Sequence, residues 1–278
     1  MRVLRTRTEL HAALAAPPRP VGLVPTMGWL HDGHRALMRR ARAENATVVV
    51  TIFVNPRQFN VAADHARYPR AESRDLAICV EEGVDIAWAP PVEEVYPSGF
   101  DTTVSVGAVA QPLEGAARPG HFEGVATVVA VLFDLVGAER AYFGQKDAQQ
   151  VLVIRQMARD LALPSAVIAC PTVREPDGLA LSSRNVHLSP SERAAAPVLR
   201  RALLAALASW AAGARSAESL RGVMRGTLAK EPLATVEYVS CADAATLQEL
   251  HVVAGPALLS LAVRFGTTRL IDNEPLPG

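Results

Sequence analysis

The chain reads as α/β: a doubly wound parallel sheet followed by a smaller α+β domain. Three observations predict this. Short β-branched runs alternate with helical patterns through residues 1–172, the signature of βαβ units. One run, residues 47–54 (TVVVTIFV), is almost unbroken apolar, as expected of a strand buried on both faces. From Val173 the order changes to a loop, long helices and late strands. The expected division is therefore 1–172 and 173–278, the second part the smaller.

The elements follow in order. Residues 2–4 read as a strand and 8–16 as a helix. Residues 21–25 are a strand and 33–43 an amphipathic helix. After the 47–54 strand, 73–82 is helical and stops at Gly83, and 84–88 is a strand stopped by Pro90 and Pro91. Residues 122–136 form an apolar helix, 141–143 a strand, 147–161 a helix with Asp147 as N-cap, and 166–169 a strand. Beyond a loop (REPDGLALSSRN), one long helix starts at Pro190 behind a Ser189 cap and a second covers 217–230. Strands are expected at 235–240, 257–263 and 269–272.

A chain of 278 residues can bury a substantial core. Its formal net charge of zero argues against a nucleic-acid scaffold and against a membrane-surface binder, both of which usually carry excess Lys and Arg. Cys79, Cys170 and Cys241 are odd in number and far apart, so each reads as a small buried hydrophobe rather than part of a disulfide or zinc framework. The N-terminus lacks an apolar signal core and no run reaches membrane-spanning length, so a cytoplasmic protein is expected. Of 28 basic residues only Lys146 and Lys230 are lysine, which makes Lys146 stand out inside its motif.

Five segments carry candidate chemistry, and each follows an expected strand. PTMGWLHDGH (25–34) puts His31 and His34 at a strand-to-helix junction beside Gly28 and Gly33. Unpaired N–H groups and the helix dipole favour an anion there, and glycine lets backbone approach a ligand. Helix capping is the bland alternative and a metal pair the second functional one. FVNPRQF (53–59) places Asn55 and Gln58 just past a buried strand, where neutral amides can read hydroxyls and carboxylates; an Asn-Pro turn alone would also account for it. RPGHFEG (118–124) offers Arg118 as a phosphate or carboxylate clamp, or merely a helix start. YFGQKDAQQ (142–150) brings Gly144, Lys146, Asp147 and Gln150 to a second strand-to-helix junction. LALSSRN (179–185) has the small hydroxyls and the arginine of a mobile phosphate flap, or of a linker.

Together these segments, with YPR at 68–70, closely resemble the pantothenate synthetase (pantoate–β-alanine ligase) family over nearly the whole chain. The resemblance implies a Rossmann-like nucleotidyltransferase fold binding ATP and pantoate, with a C-terminal lid. It implies a homodimer acting on pantoate, β-alanine and ATP with Mg²⁺, and no nucleic-acid or membrane partner. It assigns ATP contacts to Met27, Gly28, His31, Gly33, His34, Gly144, Lys146, Asp147, Val173, Leu181, Ser182, Ser183 and Arg184. Gln58 and Gln150 would hold pantoate, with Asn55 and Arg118 as further contributors, and His31, His34, Lys146 and Arg184 would act in catalysis. The residues that ligate a metal are not identified by the resemblance. Asp32 and Gln145 stand where Glu is expected, and Trp29 where Ala is. Two rivals remain open: another nucleotidyltransferase acting on a phosphorylated alcohol, and a metal-binding module built on His31, His34 and His121.

Overall fold

A computed structural model describes residues 1–59, 66 and 68–276. The chain divides into two compact units, residues 1–145 with 149–171, and residues 146–148 with 172–278.

The first unit is built on six parallel strands: β1 (Arg2–Leu4), β2 (Val21–Thr26), β3 (Thr47–Ile52), β4 (Ile86–Trp88), β5 (Arg140–Gly144) and β6 (Ala166–Cys170), in the order β1-β4-β3-β2-β5-β6. The helices among them are α1 (Arg7–Leu14), α2 (Asp32–Glu44), α3 (Glu72–Glu81), α4 (Val92–Val95), α5 (Glu114–Ala117), α6 (His121–Val136) and α7 (Ala148–Asp160). The expected doubly wound sheet is thus present, and its order reverses between β2 and β5. At such a switch point ligands bind beyond the carboxyl ends of the strands.

Both faces of the sheet are covered, which is why β3 reads as continuous Val rather than alternating. Val24, Val48, Val50 and Tyr142 face a cluster with Leu37, Met38 and Ala41 of α2 and Ile78 and Cys79 of α3. On α6, twelve of sixteen residues are buried, so it is a core helix rather than an amphipathic surface one. Its Phe133 ring lies 6.5 Å from Phe143 of β5. Each such fully buried aliphatic or aromatic side chain stabilises by about 1.5–3 kcal/mol, more than any surface ion pair here. β3 ends at Ile52, two residues before the expected limit, because Asn55 starts a 3₁₀ turn at Pro56.

The second unit has the antiparallel sheet β7 (Thr235–Asp243), β8 (Ala257–Phe265), β9 (Thr268–Leu276) and the helices α8 (Pro190–Ala195), α9 (Val198–Ala211) and α10 (Ala217–Leu228). The single helix expected from Pro190 is in fact two. Pro197 has no N–H to donate and its ring collides with the preceding turn, so α8 ends at Ala195 and α9 restarts at Val198. β9 runs four residues past the expected limit, paired with β8 as far as Leu276↔Ala257. Leu199, Leu203, Leu220, Met224, Leu259, Leu261 and Phe265 form the core between helices and sheet.

Cys79, Cys170 and Cys241 are buried and unbridged. Burial pushes the Cys79 thiol up to about 12 and that of Cys241 to about 11, so both stay protonated and inert.

Candidate active site

In the first unit the loop after β2 is held from below. Asp75 of α3, 1% exposed, accepts the backbone N–H groups of Trp29 and Leu30 at 2.8 Å each. Thr26 Oγ1 accepts the Gly28 N–H and donates to the Thr51 carbonyl on β3. Gly28 has φ +79°, and a Cβ there would lie 2.9 Å from the Asp75 carboxylate, so glycine is needed for the loop itself. Trp29 also takes positive φ, at 52°, and the Arg74 guanidinium sits 5.2 Å from its ring centre.

His31 and His34 cap α2 reciprocally. His31 Nδ1 accepts the Gly33 N–H at 3.1 Å, and His34 Nδ1 accepts the His31 N–H at 3.2 Å. Their ring centres are 4.1 Å apart. A backbone N–H only donates, so each Nδ1 is an acceptor and each neutral ring carries its proton on Nε2. A Cβ on Gly33 would meet the His31 ring at 2.8 Å, so this glycine makes room for the cap. The capping reading and the functional one therefore describe the same two rings.

The turn after β3 and the start of α6 form one assembly. Asn55 is 1% exposed and uses its whole amide. Nδ2 donates to the Gly124 carbonyl and to Gln58 Oε1, both at 3.0 Å. Oδ1 accepts the Arg57 N–H at 3.2 Å and the Tyr96 hydroxyl at 2.8 Å. The Gly124 carbonyl can only accept and the Arg57 N–H can only donate, so the Asn55 amide has one possible orientation. Gln58 Oε1 is then an acceptor, and its Nε2 hydrogens are left to donate. The Gln58 carbonyl in turn accepts from His121 Nδ1 at 2.9 Å and Arg118 Nη2 at 3.4 Å, while Arg118 Nη1 lies 2.9 Å from His121 Nε2. A Cβ on Gly124 would stand 2.2 Å from the Arg57 carbonyl oxygen. Motifs about 60 residues apart thus hold the backbone of one residue, Gln58, while Asn55 holds its side chain.

Gln150, half-buried near the start of α7, is one residue from Gln149, which is buried and pins the 109–114 segment through Val109, Pro112 and Glu114. Gly144 closes β5 and Met27 is half-buried in the β2 loop.

In the second unit, Lys146 lies in a 3₁₀ turn with its side chain 14% exposed and its Nζ 3.5 Å from Asp147 Oδ1. Asn273 Nδ2 holds the Lys146 carbonyl at 2.8 Å. Asp147 ends the turn and α7 begins at Ala148. Val173 and Leu181 are brought together as the two ends of a tight hairpin, the Leu181 N–H donating to the Val173 carbonyl at 3.0 Å. Arg174, inside this hairpin, makes a bidentate pair with Asp272, which is 2% exposed at the side chain. Ser182 Oγ accepts the Arg184 N–H and caps the turn Ser183–His187, leaving Arg184 itself exposed. A cavity lined by Lys146, Ser182, Asn185 and Asp272 joins the lysine turn to this loop.

Among the described residues no group of three His, Cys, Asp or Glu is placed to hold a metal. His121 spends both ring nitrogens on Arg118 and Gln58, which removes the third ligand of a histidine metal module.

The family model for pantoate-beta-alanine ligase matches residues 2–275. The chain belongs to the pantoate–β-alanine ligase family. A pantothenate synthetase of Roseiflexus sp. (strain RS-1) is 60% identical over 273 residues, 98% of each chain. The crystal structure of pantothenate synthetase from Thermus thermophilus superposes with a TM-score of 0.95 at 52% identity, covering 99% of both chains. A pantoate-beta-alanine ligase from Francisella tularensis, solved with beta-gamma ATP and beta-alanine, gives 0.78 at 33% identity over 99% of this chain and 97% of its own. The family, the α/β fold and the ligase class expected from the motifs are those found.

Asp75 and Tyr96 lie outside the motifs read from the sequence, and Gly124 closes RPGHFEG with no role of its own assigned there.

Proposed function

We propose that the chain joins pantoate to β-alanine in two steps at the expense of ATP. The pantoate carboxylate attacks the α-phosphorus, the α–β phosphoanhydride bond breaks, and pyrophosphate leaves a pantoyl adenylate. The β-alanine amine then attacks the acyl carbon, loses its proton, and AMP departs. The observation that carries this reading is the fixed polarity at the carboxyl ends of β2 and β3. Two imidazoles with their protons on Nε2 cap a helix N-terminus, and one amide, its oxygen engaged by Asn55, has its Nε2 donors set in one orientation.

The first step brings two anions together and adds charge to phosphate oxygens, so preorganised donors count most. In this reading His34 donates through Nε2 to a phosphate oxygen, with His31 holding it in that tautomer. Met27, Gly28 and Gly33 shape the loop and Gly144 lies at the neighbouring strand end. Lys146 and Arg184 supply positive charge to the phosphates. Asp147 takes ribose hydroxyls, Val173 and Leu181 meet adenosine through backbone, and Ser182 and Ser183 add hydroxyl donors. Gln58 donates from Nε2 to pantoate, with Gln150 as its partner. A neutral donor suits a nucleophile that an ion pair would hold back. Asn55 and Arg118 act through Gln58. Mg²⁺ would come with the ATP substrate and, as a hard cation, would offset phosphate charge, with no ligand assigned to this chain. We further assign the enzyme to the cytoplasm as a homodimer; no helix of the described residues is long and apolar enough to cross a membrane.

Purified protein supplied with pantoate, β-alanine and MgATP should yield AMP, pyrophosphate and pantothenate in equal amounts. Retention of the nucleotidyl group on the product would overturn the reading in favour of a nucleotidyltransferase. Light scattering in solution tests the dimer.

A further inference from the structure

Tyr96 lies outside every motif read from the sequence, yet it closes the network that orients Gln58. It follows the short α4, whose last turn it caps through an N–H to the Val92 carbonyl at 2.7 Å. Its ring is held on three sides. Phe53 meets it edge-on at 6.0 Å, Phe100 is tilted at 5.0 Å, and the Arg57 guanidinium lies over it at 5.5 Å. Arg57 is itself tied to Thr103 Oγ1 at 2.8 Å. The hydroxyl so placed donates to Asn55 Oδ1 at 2.8 Å. Burial pushes the hydroxyl well above the ordinary tyrosine range, so it remains a proton donor across working pH.

Given the assignment of Gln58 to pantoate, on which this rests, we infer that Tyr96 is a positioning residue that sets the Gln58 amide for the hydroxy acid through Asn55. The relay has two links. The Tyr96 hydroxyl and the Arg57 N–H saturate Asn55 Oδ1 and fix the amide plane. That plane delivers Nδ2 to Gln58 Oε1, leaving the Gln58 Nε2 donors in one orientation. Without the Tyr96 hydroxyl, Asn55 keeps one acceptor contact instead of two, and Gln58 samples more orientations before substrate arrives. The cost falls on pantoate capture, since neither residue belongs to the ATP loop after β2.

The test is Tyr96→Phe, which keeps the ring and deletes only the donor. KM for pantoate should rise about three- to ten-fold, the range one neutral hydrogen bond carries, with KM for ATP and kcat at saturating pantoate unchanged. In a Gln58→Ala background the same change should add nothing, because the side chain it orients is gone. Equal changes in both KM values, or an additive effect in the double variant, would reduce Tyr96 to a structural residue and overturn the inference. A Gln58→Ala enzyme with normal pantoate KM would instead overturn the assignment of Gln58. If Tyr96→Phe folds poorly, the ratio of the pantoate KM to the ATP KM, which does not depend on the folded fraction, still reads the relay; an unchanged ratio overturns it.

Discussion

Asn55, in the turn after β3, makes four side-chain hydrogen bonds, whereas Asn185, in the turn after the 173–181 hairpin, makes one, to the Ala180 carbonyl at 3.1 Å. The Asn185 Oδ1 atom is buried with no hydrogen-bond partner. A satisfied amide is a fixed part: rotating it breaks several bonds at once. A buried acceptor left over raises the free energy of its loop until something donates to it. The first arrangement suits a residue that must present one orientation to a small substrate. The second suits a loop whose hydrogen bonding changes during the reaction.

The largest expected effect tests the chemistry itself. His34→Ala and Lys146→Ala should each slow pyrophosphate release by about 10²–10³-fold, the usual loss for one charge-stabilising donor. Lys146→Arg keeps the charge and should still impair turnover, because a planar guanidinium does not occupy the place of a compact ammonium. Normal pyrophosphate release in folded protein would remove both residues from the first step.

Next comes the rigid side of the comparison. Gly124→Ala drives a Cβ against the Arg57 carbonyl, which is backbone and cannot step aside, so a loss of about 1–3 kcal/mol is expected in thermal melts, with a weakened pantoate KM. Asn55→Ala strands the Arg57 N–H and the Gly124 carbonyl and should cost about 1–3 kcal/mol. Asn185→Ala removes one bond together with an orphaned acceptor and should cost under about 1 kcal/mol. Equal losses at the two asparagines in chemical denaturation would erase the distinction drawn above.

The smallest effect concerns acid. Burial alone would raise the Glu82 carboxyl, but hydrogen bonds from Arg39 and Arg35 outweigh it and hold it below the usual range. Glu237 of β7 behaves alike, with Arg269 and Arg264 as partners. A carboxyl lowered on folding stabilises above its unfolded pKa of about 4.3, and that contribution fades as pH falls through the folded value. Tm should therefore drop below about pH 4.3, and Glu82→Gln should make the drop shallower. A variant with an unchanged acid limb would show that these ion pairs contribute nothing measurable.

The sheet was readable because burial on both faces writes itself into sequence: TVVVTI has no other ordinary explanation. The His31–His34 pair was readable because its spacing is one helical turn at a strand end. What could not be read were relationships between distant segments. Asp75 looks like any acidic residue early in a helix until its carboxylate is found under the Trp29 and Leu30 amides. Asn55 reads from sequence as a second-rank substrate contact because an Asn-Pro pair gives no hint of the carbonyl, hydroxyl and amide that converge on it. The break at Pro197 was legible in principle, since proline inside an Ala-rich helix is its own warning; the strength of the surrounding helix pattern masked it.

The scarcity of lysine has a practical corollary. Acylating reagents that attack primary amines meet only the chain's amino terminus, the exposed Lys230 and the mostly covered Lys146. Mass spectrometry of such labelling would follow a single sparsely accessible amine against an internal standard in the same molecule, turning cover of Lys146, proposed above as a nucleotide contact, into a ratio of two peptides.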